Sequence, residues 1–319
     1  MSPIKIIVSK IKTDNYMKTK LGHNFDTDYY DKHIDEDCDC YTDKGDLLFK
    51  FRKNVISPAL CKRAVDSFSK YSQNLHENRG NAAGIIDENK TRGYVGTLVN
   101  KTSVSTKYIS NITNKQSKTI ITNLAPSNIA GFYDRPDRNT KNLGPKCRLT
   151  AFNKKFPIDW DNAIPFINRI DYLFKKLVPD RHSKQLERAS ITPDFQISNT
   201  SFTTMTMNYS FRTSCHKDKG DYEEGFGNLI VCEDYRNKNT YKGCYLGFPQ
   251  YGICVNVRQG DFIAMNVHEY HCNTEFISPS INSNKNINSN KNKTTINDWH
   301  YNRLSIVLYL RKNMIKCAK

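Results

Sequence analysis

His216 and Asp218 stand two apart in the stretch "SFRTSCHKDKGDYEEGFG" (210–227). On extended backbone, residues two apart share a face, so this imidazole and carboxylate point the same way. A second histidine on that side would complete a set of two nitrogens and one oxygen. Such a set suits a non-haem Fe(II) ion with positions left open for a cosubstrate and dioxygen. "GDFIAMNVHEYHCNTEF" supplies two candidates, His268 and His271. Being three apart, they face opposite ways on an unbroken strand, so only one can be the ligand. "NRLSIVLYLR" adds Arg303 near the start of an apolar strand, with Ser305 on the same face. A guanidinium fork matches a carboxylate bidentately, and a hydroxyl beside it adds a donor. Each part alone has an ordinary explanation: a strand-end histidine satisfied by backbone, an exposed strand charge, a filler serine. The conjunction carries the metal reading.

These residues need strands to position them. If the strand before His216 is regular, Asn208, Ser210, Arg212 and Ser214 join its face, a polar row expected of a wall lining a metal and an anionic substrate. From about residue 195 the chain reads as strands, in "DFQISNTSFTTMTMNYSFRTSCHKD", "GNLIVCED", "GICVNV", "GDFIAMNV" and "RLSIVLYLR". They are rich in β-branched and aromatic residues and punctuated by glycine turns. Upstream, Ser57-Pro58 supplies an N-cap and a first-turn proline, with Leu60, Ala64, Val65 and Phe68 following at helical spacing. "PIDWDNAIPFINRIDYLFKKLVPD" reads as one amphipathic helix with Phe166, Ile167, Ile170, Leu173 and Phe174 on a single face. Short β-like runs such as "RGYVGTLVN" and "KTIITNLA" lie between 76 and 145. The predicted organisation is a polar, partly disordered arm over 1–45 and one domain over 46–319. That domain has a helical and mixed support region (46–195) and a β core (196–315). An Asn/Lys-rich insertion at 278–298, carrying "NSNKN" twice, interrupts the core and cannot bury one of its own.

The whole chain has 319 residues, 38% hydrophobic, with a mean hydropathy of −0.67. No apolar run approaches the roughly 18 residues that span a membrane, and the N-terminus lacks a secretory apolar segment. The net charge of +16 fits a polyanion such as DNA. Lysine makes up 33 of the 48 basic residues, and a Lys/Asn excess also fits an A/T-rich coding sequence. None of the ten cysteines forms a CxxC pair. Cys38 and Cys40, in "DKHIDEDCDCYTDKGD", lack the further ligands a zinc site needs and read as part of an exposed acidic loop. Scattered free thiols point to a reducing compartment inside the cell, cytoplasmic or nuclear rather than secreted.

From about Phe202 to Leu310 the chain resembles the iron- and 2-oxoglutarate-dependent dioxygenases, and within them the TET/JBP group that oxidises nucleobase methyl groups. "FTTMTMNYSFRTSCHKDKGD" is similar to the H-x-D strand of the JBP-type thymine hydroxylases. "GFGNLIVCE", "GCYLGFPQYGICVNVRQGDFIAMNVHEYHCNTEF" and "RLSIVLYLR" continue the likeness in order, and "NRGNAAG", "GFYD" and "CRLTAF" resemble its upstream elements. The resemblance covers most of residues 46–315. It implies an α+β fold, mainly β: a double-stranded β-helix of jelly-roll type buttressed by helices. It implies iron on His216, Asp218 and His271, the last chosen because His271-Cys272-Asn273-Thr274 matches the family's distal motif. It implies Arg303 and Ser305 on 2-oxoglutarate, with Fe(II), 2-oxoglutarate and O2 hydroxylating the methyl of thymine or 5-methylcytosine in DNA. Asn208 and Arg212 are candidate substrate contacts, though Arg212 could equally pair with an internal carboxylate. No separate DNA-binding module is visible. A prolyl- or lysyl-type protein hydroxylase of the same fold, and a non-catalytic jelly-roll that binds nucleic acid, are the alternatives.

Overall fold

The computed structural model describes residues 2–76, 79–86, 91–92, 96–101, 105–110, 116–117, 119–120, 123–134, 147–279 and 301–318. Four strands open the chain: β1 (Ile4–Val8), β2 (Lys32–Ile34), β3 (Cys38–Thr42) and β4 (Leu47–Arg52), with the short helix α1 (Asp14–Thr19) after the first. Helix α2 (Pro58–Ser72) and strand β5 (Ser127–Tyr133) follow, then helices α3 (Ala151–Lys155), α4 (Pro157–Leu177) and α5 (Pro179–Ser190). The remaining strands are β6 (Thr204–Tyr209), β7 (Gly227–Glu233), β8 (Lys242–Gly243), β9 (Leu246–Phe248), β10 (Ile253–Val255), β11 (Phe262–Met265), β12 (Cys272–Asn273), β13 (Phe276–Ile277) and β14 (Arg303–Tyr309).

The largest sheet runs β1-β3-β4-β11-β7-β14-β6-β5, ending on a two-residue strand at Arg148–Leu149. A four-stranded sheet, β12-β9-β10-β2, faces it, and β8 pairs with β13. One apolar cluster joins these two facing sheets, with Phe49 of β4 stacked on Phe248 of β9 at 5.2 Å. Five strands within residues 91–120 form a separate sheet. The Asn/Lys-rich repeats lie outside the described residues. No described helix is long and apolar enough to cross a membrane.

Period-two alternation decides which side chains reach the site. In β14, Leu304, Ile306 and Leu308 join the core beneath α2 and α4, as do Met205, Met207 and Tyr209 of β6. Arg303, Ser305, Val307 and Tyr309 therefore take the opposite face, as do Thr204, Thr206 and Asn208. Asn208 is in register with Ser305. The helices form where the spacing predicts. Ser57 caps α2, its hydroxyl accepting from the Leu60 amide, and Phe166, Ile167, Ile170, Leu173 and Phe174 of α4 are buried. A buried Leu, Ile or Phe is worth about 1.5–3 kcal/mol each, which holds α4 against the sheet despite Pro165 within it.

Three expectations need correcting. Residues 1–45 are no loose arm: β1 lies parallel to β3, β3 pairs antiparallel with β4, and β2 lies parallel to β10. Cys38 and Cys40 are not in an exposed loop but on the inward face of β3, fully buried. Asp39 points outward, paired with Lys50 at 3.0 Å and Arg52 at 2.6 Å. Buried cysteine packs as a small hydrophobe, so "CDC" alternates as a strand despite its acidic flanks. Finally, not every thiol is free. Cys147 and Cys317 form a disulfide, and the other eight cysteines are free and buried.

Candidate metal centre and its pocket

The strand leading to His216 ends sooner than its composition suggests. Ser210 adopts a left-handed φ of 48° directly after β6, a conformation that breaks an extended run. Parity with Asn208 is therefore lost before His216. A different device sets the histidine. His216 and His271 exchange backbone hydrogen bonds, N to O at 3.1 and 3.0 Å, as an isolated antiparallel bridge. The Asp218 amide donates to the Val267 carbonyl at 3.0 Å, extending this short ladder.

The ladder brings both rings onto one carboxylate. His216 Nε2 lies 3.6 Å from one oxygen of Asp218, and His271 Nε2 lies 3.7 Å from the other. The ring centroids are 4.3 Å apart. Each Nδ1 is spoken for, that of His216 by the Ser214 carbonyl at 2.7 Å and that of His271 by the Glu269 carbonyl at 3.0 Å. A carbonyl only accepts, so Nδ1 carries the proton and Nε2 keeps its lone pair, the tautomer a metal ligand requires. Burial, and after it the charge of His216, lowers the His271 pKa to about 4, which leaves its imidazole neutral. All three ligand atoms lie within 4.8 Å of one another. The donor set fits an Fe(II) ion bound on one side, with open positions toward the pocket. His268 is elsewhere, its Nε2 against the Tyr222 carbonyl at 3.2 Å.

The triad sits on the wall of a cavity of about 340 Å³, which Asn208 and Ser305 also line. Arg303 lies two residues before Ser305 on the same face and is only 1% exposed. Among the described residues its Nε and Nη2 have no partner. A buried guanidinium without an acceptor is strongly unfavourable, so these two nitrogens call for an anionic partner such as a carboxylate. Asn208 accepts a hydrogen bond from the Ser127 hydroxyl. Arg212 does not line the cavity. It donates to the carbonyls of Asn273 and Phe25 and pairs with Asp26, so it ties the N-terminal segment to this loop.

Sequence reasoning gave no role to several residues on the cavity wall. Tyr309 and Arg311 continue the Arg303 parity, a signal legible in "RLSIVLYLR". Arg311 grips Asp134 with two hydrogen bonds at 2.9 and 3.3 Å. Its guanidinium lies so close to Gly220 that a Cβ there would sit 2.8 Å from Nη1. Asp221, in the "KGD" after the ligand pair, is buried. Its carboxyl is pushed well above the usual range by burial first and then by the charge of Asp218, against the pull of Arg311. Arg79, within "NRGNAAG", donates twice to the Ser127 carbonyl.

Residues 128–312 match the profile of the Tet_JBP family, described as the oxygenase domain of the 2OGFeDO superfamily. The chain is 31% identical over 185 residues to thymine dioxygenase JBP1 of Trypanosoma brucei brucei, covering 58% of this chain and 19% of that protein. It is 30% identical over 190 residues to the bifunctional helicase and thymine dioxygenase JBP2 of Leishmania tarentolae, covering 59% and 14%. The chain thus spans less than a fifth of the length of these curated relatives. In fold it is similar to NgTET1, solved in complex with 5mC DNA, with a TM-score of 0.50 and 13% identity over 95% of this chain and 92% of that one.

Proposed function

The chain belongs to the Tet_JBP family of oxygenase domains, and from that membership we propose that it is an Fe(II)- and 2-oxoglutarate-dependent dioxygenase that hydroxylates the methyl group of thymine or 5-methylcytosine in DNA. The observation that carries the reading is the pairing of two lone-pair Nε2 atoms on the Asp218 carboxylate, together with the buried Arg303, whose Nε and Nη2 find no partner among the described residues and which shares a face of β14 with the cavity-lining Ser305. His216, Asp218 and His271 would hold the iron. Arg303 and Ser305 would hold the distal carboxylate of 2-oxoglutarate, the guanidinium bidentately and the hydroxyl as a further donor. Fe(II), 2-oxoglutarate and O2 together supply the oxidant that inserts one oxygen atom into a C–H bond, with succinate and CO2 released.

The chain's own residues position the reactants. The Ser214 and Glu269 carbonyls fix both imidazoles. Leu229, Leu246 and Met265 line the cavity and keep water from its inner wall. Asn208, held by Ser127, is placed beside the cosubstrate end. A base in duplex DNA must leave the stack to reach this cavity, and the net charge of +16 favours the phosphate backbone that would deliver it. In this reading the two facing sheets are the walls of a double-stranded β-helix, whose strands β6, β7, β9–β12 and β14 come from residues 196–315 and are flanked by strands from residues 4–52 and 127–149. A DNA substrate would put the protein's work inside the cell.

The test is direct. The full chain, loaded with iron anaerobically, is given 2-oxoglutarate, O2 and DNA containing both thymine and 5-methylcytosine, and the DNA is digested to nucleosides for mass spectrometry. A nucleoside heavier by one oxygen atom, lost in His216→Ala, is the expected result and identifies the base. Succinate without a modified nucleoside would shift the substrate to protein side chains. The absence of both succinate and retained iron would refute the dioxygenase.

A further inference from the structure

Arg303 is not the only buried donor in its neighbourhood that lacks an acceptor. Among the described residues the Tyr241 hydroxyl is also without a partner, in a side chain only 3% exposed. Its ring lies 6.3 Å from that of Tyr301, two residues before Arg303, and Glu233, which holds the Arg258 that covers the ring, is in register with Arg303 across β7 and β14. Two side chains with unmet donors, one a guanidinium and one a phenol, therefore share a region whose described residues offer them no acceptor. A phenylalanine would fill the same volume without an unmet group, so the hydroxyl itself calls for a partner.

The ring is held where it is. The guanidinium of Arg258 lies 3.9 Å above its centroid and donates to the Tyr241 carbonyl at 3.2 Å, and Glu233 anchors that guanidinium at 2.9 Å. Phe276 meets the ring edge-on at 5.3 Å. Behind it the backbone turns through Gly243 and Cys244, both with positive φ. A hydroxyl on so fixed a ring cannot turn away to find solvent. Burial raises its pKa, so it stays an O–H donor at neutral pH.

We propose that Tyr241 is a further binding residue for the cosubstrate, its hydroxyl donating to the distal carboxylate that Arg303 and Ser305 also hold. This rests on the dioxygenase reading above. It extends the carboxylate site from a strand pair to a cage, closed by the segment that precedes β8. The cage recognises a dicarboxylate, because a 2-oxo acid without the distal carboxylate leaves all of these donors unmet.

The experiment compares the full chain with Tyr241→Phe, which removes one oxygen and keeps the ring contacts. The iron-loaded proteins are titrated anaerobically with 2-oxoglutarate and with pyruvate, which lacks the distal carboxylate, following the absorption of the metal chelate. The metal-free proteins are titrated calorimetrically with glutarate. The proposal expects Tyr241→Phe to raise Kd for 2-oxoglutarate and for glutarate by roughly ten- to a hundredfold, the worth of a hydrogen bond to a charged acceptor, with pyruvate unaffected. An unchanged Kd for 2-oxoglutarate overturns it. So does an equal loss for 2-oxoglutarate and pyruvate, which would mark a purely structural tyrosine. A wild-type chain that binds neither 2-oxoglutarate nor glutarate would overturn the dioxygenase reading itself, and this proposal with it.

Discussion

The two histidines owe their fitness as metal ligands to what their other ring nitrogen touches. In the metal-free chain the buried His271 has a pKa of about 4 against an ordinary 6.5. Between those values the unfolded chain binds a proton that the folded chain refuses, so stability rises with pH across that window. The contribution is complete above pH 6.5 and lost as pH falls toward 4, about 3 kcal/mol in all, of which about 2 kcal/mol falls between pH 7 and pH 5. Denaturant titrations of the metal-free protein at those two pH values check this, and His271→Asn should remove that part of the slope. At this scale the sequence was informative about residue type and blind to partners. His216, Asp218, Arg303 and Ser305 could be picked out by spacing. The backbone carbonyls that set each tautomer, and the Asp26 that occupies Arg212, come from loops that spacing does not describe.

The elements were legible wherever local pattern decides them, as in α2, α4, β7 and β14. They were misread where a single dihedral or a distant pairing decides. Nothing in "NYSFRTSCH" marks Ser210 as left-handed, and only the bridge to a residue more than fifty positions away restores the alignment that regular parity would have given. Glycines carry similar information. Gly243 has φ +70°, and a Cβ there would meet the Glu275 carbonyl oxygen at 2.3 Å, whereas Gly45, at φ +87°, has nothing within 4 Å. Both substitutions by alanine incur left-handed strain of roughly 1 kcal/mol, but only Gly243→Ala must also displace β13. Gly243→Ala is expected to lose about 2–3 kcal/mol in denaturant unfolding and to weaken 2-oxoglutarate binding, because Tyr241 stands two residues before it. Gly45→Ala should lose about 1 kcal/mol and leave binding unchanged.

Across the whole molecule, the unread features are the contacts that join the ends of the chain to its middle. The N-terminal strands looked like an arm because their partners lie far along the sequence, β10 for β2 and, through β4, β11 for β3. The Cys147–Cys317 disulfide spans 170 residues, and no spacing rule selects that pair among ten cysteines. A closed loop of this length should stabilise the fold by about 2–5 kcal/mol. Thermal unfolding with and without reductant, compared with Cys147→Ser, is expected to show a lower melting temperature on reduction and no such response in the variant. One feature of the large sheet also bears on how the protein is made. Strand β14, the last in the chain, lies between β6 and β7. While the ribosome is still translating, both neighbours must wait with open edges, and the proposed iron ligands emerge well before Arg303. On the proposed assignment, a nascent chain stalled short of residue 303 could gather metal but could not seat 2-oxoglutarate. Oxidising power would then arrive only once β14 has been made and inserted.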